Sequence, residues 1–217
     1  MPRGIGAPHS VTGNARASRC GRRTEQMLRR LLILAVTLAA LAMPASALAG
    51  GGNYSFEGAK PAERSTVRAA LNASAFDWNI VPQHVTIHVG PYGASHSTPG
   101  EIWLDRGLLG SGRFAWGTVM DEYAHQIDFQ VLDAPRRAVL QEKLGTSAWC
   151  YETAGLAHGA NGCERFASMV AWAYWPSKDN AYRPASPTDE SASMRPAEFR
   201  SLLSSLVGMP TAVKFTR

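Results

Sequence analysis

With three cysteines in 217 residues, 18% charged residues and 9% aromatic ones, the chain leaves several protein classes without support. So few cysteines exclude a disulfide-dense mini-scaffold and a multi-cysteine zinc knuckle. Long apolar runs are also scarce. The one present, residues 31–49, follows a basic stretch with Arg22, Arg23, Arg29 and Arg30 and ends Ser46-Ala47-Leu48-Ala49 before three glycines. Barely long enough to span a bilayer and closed by a small-residue signal, it reads as a secretory signal peptide, residues 1–49, cleaved after Ala49. Met27 would make the more ordinary start of such a leader. Net positive charge is missing once the leader is set aside. Residues 1–49 hold seven of the 22 Lys+Arg and one of the 17 Asp+Glu, which leaves 15 against 16 and a net charge near −1. Nucleic-acid binding therefore loses its compositional support.

The remaining 168 residues suffice for one domain with its own core, expected to be secreted, monomeric and free of the membrane after cleavage. Cys20 departs with the leader. Cys150 and Cys163 stay as an even pair in an oxidising compartment, so a disulfide between them is expected.

Residues 50–60 read as a flexible lead-in and 61–217 as the domain. Within it, 61–71 has apolar Val67, Ala70 and Leu71 at helical spacing behind Pro61. Residues 85–89 alternate as a strand up to Gly90-Pro91, and 101–105 form a second short strand beyond a Gly/Ser/Pro loop. Helices are expected at 113–132, 135–144, 163–175 and 196–207, stopped by turn residues such as Gly145 and Pro176. Residues 146–162 are irregular, and 177–195 form a polar surface excursion, ordered or mobile. No internal repeat occurs. A small early sheet followed by helices alone predicts an α+β fold.

Chemistry concentrates in Asp121-Glu122-Tyr123-Ala124-His125-Gln126-Ile127-Asp128. Zinc peptidases of the HExxH kind set two His ligands four apart on a helix, with a Glu beside the first as general base. Here Glu122 and His125 stand in place, and Asp121 occupies the first ligand position. Positions 121, 125 and 128 share one helix stripe, so Asp121 and His125 can hold a cation together. Glu164 sits among Phe166, Ala167, Val170 and Ala171 and needs a partner for a carboxylate near the core. A cation shared with His125 is one such partner; Arg113, Arg165 or a helix N-terminus is another. His84, His88 and His96 read as strand or surface residues, and Trp116, Trp172, Tyr174 and Trp175 as core aromatics.

The Asp121–Asp128 motif, with Glu-Arg-Phe-Ala beginning 39 residues after His125, resembles the gluzincin metallopeptidases, in the subgroup of anthrax lethal factor and the Mlc titration factor. The resemblance covers roughly residues 85–175. It implies a zincin-like domain with a small sheet packed on a long active-site helix, and a strand 101–105 that offers its edge to an extended peptide or protein substrate. It further implies Zn²⁺ or another divalent cation held by Asp121, His125 and Glu164, with Glu122 as general base and Asp128 orienting His125. The chain departs from the family at two points. Asp replaces the first His, which makes the donor set harder and more anionic. The Tyr that the subgroup carries about two turns before its third ligand is also missing. His158 and Tyr151 are the candidates to stabilise an oxyanion, and His158 could instead replace the missing ligand. The alternative to a peptidase is an inactive zincin-like relic, serving as a binding module or a structural cation site, with Asp121 paired to Arg113 or Arg165.

Overall fold

The computed structural model describes residues 51–150 and 153–209; the expected signal peptide, Cys20 and Tyr151 lie outside the described residues. The elements are β1 (Tyr54–Glu57), α1 (Pro61–Ala73), β2 (Val85–Gly90), β3 (His96–Thr98), β4 (Glu101–Asp105), α2 (Arg106–Leu109), α3 (Phe114–Gln130), α4 (Ala134–Leu144), α5 (Gly162–Tyr174) and α6 (Pro196–Val207). The α+β expectation holds. Every expected helix and both expected strands form, with shifts of a residue or two at their ends.

Strand order is β1-β2-β4-β3, with β1, β2 and β4 parallel and β3 antiparallel to β4. This corrects two expectations. The lead-in 50–60 contains a strand, because Tyr54–Glu57 pairs in register with Val85–His88 and half-buries Tyr54 and Phe56. Its Gly-rich approach hides a period of two only four residues long. Strand 101–105 is not an edge either. It hydrogen-bonds to β2 on one side and β3 on the other, so the edge on its side of the sheet belongs to β3, three residues too short to show a pattern.

Alternation then sorts the two faces of the sheet. Val85, Ile87, Val89, Ile102 and Leu104 are buried against the helices. On the other face His88 and His96 stack on the cross-strand neighbour Trp103, at centroid distances of 5.0 and 4.8 Å.

Helix α3 runs through the middle of the domain against α1, α5, β3 and β4, and from Ala115 to Asp128 nearly every residue is buried. A helix covered on all sides has no solvated face, so the polar residues of its motif must find partners inside the protein. Tyr123 is the motif's contribution to the core, within an aromatic cluster of Trp78, Phe76 and Tyr174. Asp133 caps α4 by accepting from Arg136 N at 3.0 Å, and Gly145, at φ 69°, closes it. Cys150 and Cys163 are bonded, as expected, which fixes the irregular stretch before α5 to that helix's first turn. A loop of this length contributes about 3 kcal/mol.

The excursion 177–195 is ordered. Asn180, buried, donates its side-chain amide to Ala171 O (2.9 Å) and Trp175 O (2.8 Å) and accepts from Tyr182 N (2.9 Å). Its seat is Gly117, in the interior of α3, where an added Cβ would come within 2.3 Å of Asn180 Oδ1 and 3.0 Å of Ala181 N. Glycine inside a helix costs about 1 kcal/mol relative to alanine. That cost is accepted here because the backbone of the excursion lies directly on the helix. Gly117→Ala should therefore destabilise the protein by about 1–3 kcal/mol despite the gain in helix propensity. Chemical denaturation reads this, and a stabilised variant would mean that the excursion does not pack there.

Candidate functional site

A cleft of about 690 Å³ opens between β3 and the middle of α3, and Asp121, Glu122, His125, His158, Glu164 and Tyr182 all line it. At its floor His125 Nε2 stands 3.9 Å from Asp121 Oδ2 and 3.4 Å from Glu164 Oε2. Helix α3 brings Asp121 and His125 together through their i, i+4 spacing. The first turn of α5, locked by the disulfide, delivers Glu164. Ligands bound to one tetrahedral zinc at about 2.0–2.1 Å stand roughly 3.3–3.5 Å apart, whereas charge-assisted hydrogen bonds are about 2.7–2.9 Å. The Glu164 contact of His125 falls in the ligand range, and the Asp121 contact lies about half an ångström beyond it.

The three donors do not close fully. Among the described residues the only Cys/His/Asp/Glu group with all its donor atoms within 4.8 Å of one another is Cys150, Cys163 and Glu164. This group is not a thiolate site, because its sulfurs are bonded to each other and have no proton to lose. Cys163 Sγ merely touches Glu164 Oε1 at 3.7 Å.

The expected Arg partners of Asp121 are occupied elsewhere. Arg113 lies over the rings of Trp116 and Trp175 and pairs with Asp179 at 3.5 Å. Arg165 donates to the carbonyls of Gly159 and Leu144. Asp121 instead faces Ser168 Oγ at 3.2 Å, with the Tyr182 side chain close by in the same cleft. Asp121, Glu122 and Glu164 are thus three buried carboxylates facing one buried imidazole, His125, and the more exposed His158. Taking charge out of water favours the neutral form of an acid, so burial lifts the Asp121 carboxyl to about 8 and raises Glu122 as well. For His125 burial works against the charge, but the close Glu164 carboxylate and the charges of Asp121 and Glu122 outweigh it and hold the ring at about 9. The site keeps protons where a cation would fit. Its donor set, carboxylates around imidazole, suits Zn²⁺ or a harder divalent ion.

Glu122 faces β3. Ser97 Oγ lies 2.8 Å from its Oε2 and 2.9 Å from its backbone O, with one proton to share between them. Gln126, fully buried, accepts from Gly100 N and donates to Thr98 O and Glu101 O, which fastens the β3–β4 turn to α3. His158 Nε2 stands 3.0 Å from Glu164 Oε2 and its Nδ1 3.0 Å from Glu190 Oε1, and these two contacts raise it to about 10. Ser168 Oγ also lies 3.0 Å from Glu190 Oε2, with one proton to share between Glu190 and Asp121, so a chain of contacts runs His158–Glu190–Ser168–Asp121.

Asp128 departs from its expected role. Its Oδ1 accepts from Arg137 Nε at 2.7 Å and Trp149 Nε1 at 2.9 Å, and no hydrogen bond to His125 is present among the described residues. A buried carboxylate takes the strongest donors within reach, and the guanidinium of α4 outcompetes an imidazole one turn back. Asp128 thereby anchors the loop that carries Cys150. Sequence reasoning missed Ser97, Gln126, Ser168, Tyr182 and Glu190. Gln126 stood inside the motif as a polar residue on a helix with no solvated face, a signal that was available. Tyr182 and Glu190 lie in the Pro/Ser-rich excursion, where neither spacing nor composition marks them. Among the described residues no helix is long and apolar enough to cross a membrane. Against known protein families, curated proteins and solved structures the chain has no match, and its chemistry is carried by the arrangement of these side chains alone.

Proposed function

We propose that the protein is a secreted, metal-dependent hydrolase of peptide bonds, zincin-like in fold and gluzincin-like in its site. One observation supports this above others: His125 Nε2 lies between Asp121 Oδ2 (3.9 Å) and Glu164 Oε2 (3.4 Å), with the Glu164 contact at the spacing of shared ligands, in a pocket with more carboxylates than cations. Asp121, His125 and Glu164 would hold Zn²⁺ or another divalent ion, with His158 able to join them. Its outer nitrogen contacts Glu190, the support that ligand histidines usually have. When bound, the ion supplies Lewis acidity, moderated here by its two carboxylates.

The protein's own groups do the rest. Glu122, with its basicity raised by burial, accepts a proton from the attacking water and returns it to the leaving amine. Ser97 holds its carboxylate in line. His158 donates to the carbonyl oxygen as charge develops there, if it is not itself a ligand. The free edge of β3 gives an extended peptide backbone a strand to pair with.

The test is metal analysis of the purified protein, with digestion of a peptide library with and without chelator. Metal uptake with chelator-sensitive cleavage is expected. A protein that takes up no divalent ion and cuts nothing would remove the reading. The incomplete closure of the donors around His125 favours one other outcome, a cation site without hydrolysis, which the same experiment reads as metal uptake with no cleavage.

A further inference from the structure

A second cleft, about 650 Å³, lies beyond His158 and Tyr182, the two residues that line both clefts. Its walls carry Arg165, Arg183, Asp189 and Glu190. The two acids are already engaged. Asp189 accepts from the backbone N–H groups of Ala185 (2.6 Å) and Ser186 (2.9 Å) and from Ser186 Oγ (3.0 Å). Glu190 contacts His158 Nδ1 and Ser168 Oγ. The guanidiniums have no such match: among the described residues neither Arg165 nor Arg183 has a carboxylate within 4.0 Å. Arg165 lines the cleft and is held in place by donating Nε to Gly159 O (2.7 Å) and one terminal nitrogen to Leu144 O (2.8 Å). Arg183 is exposed at the cleft wall, with its backbone N bonded to Asn180 O.

We propose that this second cleft is a carboxylate-recognising subsite of the hydrolytic groove, so that the preferred substrates are peptides with a carboxylate beyond the bond to be cut. The proposal rests on the hydrolase reading above and adds the substrate class. Guanidinium forks bind carboxylates through paired hydrogen bonds, and two of them in a recess do so better than one on an open surface. Contrast between the clefts adds direction. The first is crowded with buried carboxylates, which repel an acidic group, while the second sets two guanidiniums with no carboxylate within 4.0 Å beside Asp189 and Glu190, which are turned to other donors. A substrate carboxylate is therefore driven to the Arg165–Arg183 side, which fixes which way the chain lies. The carboxylate can come from an Asp or Glu side chain or from the peptide's C-terminus.

Calorimetric titration of the Glu122→Gln protein with three hexapeptides separates the cases. One contains Glu and is blocked at both ends, the second has Gln in its place, and the third is the Gln peptide with a free C-terminus. The expected result is about 10-fold tighter binding of one carboxylate-bearing peptide than of the blocked Gln peptide. The gap should vanish in Arg183→Gln, and in Arg183→Glu a fourth, blocked peptide with Lys in place of Glu should bind tightest. Whichever peptide gains names the source of the carboxylate. Equal or absent binding of all three, or a gap that survives both Arg183 variants, overturns the subsite. Parallel digestion by the unsubstituted protein keeps the two readings apart. Cleavage without carboxylate preference ends the subsite and leaves the hydrolase, whereas Arg183-dependent binding without cleavage supports the ligand class and ends the hydrolase.

Discussion

Glu122→Gln should lower the rate of peptide hydrolysis by about 10²–10⁴-fold while leaving metal content and folding nearly unchanged. The argument starts from the shape of the replacement. Glutamine fills the same volume, and its amide oxygen can still accept from Ser97 Oγ, which stands 2.8 Å from Glu122 Oε2. What it loses is the ability to accept a proton. Glu122 is buried and its carboxyl is raised above the usual range, chiefly by that burial, so its carboxylate is a stronger base than one in water. The change thus removes the base and its negative charge while keeping the shape of the side chain and its contact with Ser97. Turnover with and without chelator, beside metal analysis of both proteins, checks the prediction. An unchanged rate would put the base on another residue, and loss of metal along with activity would make Glu122 a ligand instead.

The part of this site that could be read from sequence is the part written at short range. Helical spacing put Asp121 and His125 on one stripe, and the apolar surroundings of Glu164 announced a buried carboxylate in need of a partner; all three line one cleft. The Cys150–Cys163 pair followed from compartment and count. What escaped was set by contacts between distant segments. Nothing local distinguishes Ser97 from any loop serine until β3 pairs with β4 and lays it on Glu122. Glu190 and Tyr182 lie in a stretch whose composition says only surface, and they reach the site because Gly117 lets Asn180 settle on α3. Asp128 shows the limit of a stripe argument. Its position was right and its partner was not, because Arg137 on the next helix was the better donor. The sheet failed at the same level. Strand existence at 85–89 and 101–105 was legible, while the order β1-β2-β4-β3 and the identity of the edge depended on two short strands without a pattern.

Metal and pH should act on this fold in opposite directions. In the metal-free protein His125 holds its proton up to about 9, and the Asp121 carboxyl holds its own up to about 8. In the unfolded chain the same groups titrate near their ordinary values of roughly 6.5 and 3.9. Both folded values are raised, so the folded state binds more protons than the unfolded state between these limits. The stability these two groups contribute is full below their unfolded values and is lost as pH climbs through the folded values. Each proton retained corresponds to about 1.4 kcal/mol per pH unit. For a domain of this size one such proton lowers Tm by roughly 2–5 °C per unit between pH 7 and 9. A divalent ion needs those same groups deprotonated, so its affinity rises over that interval, and its stabilisation grows with the ratio of free ion to dissociation constant. Chelator-treated protein should therefore melt at lower temperature as pH rises from 7 to 9, while the increment in Tm from added Zn²⁺ grows. His125→Gln should flatten both trends, since it removes the imidazole that sits between the two carboxylates. Scanning calorimetry at several pH values, with and without the ion, reads all of this. A metal-free Tm that is flat across the range, or a zinc increment equal at pH 7 and 9, would mean that Asp121, His125 and Glu164 do not exchange protons for a cation.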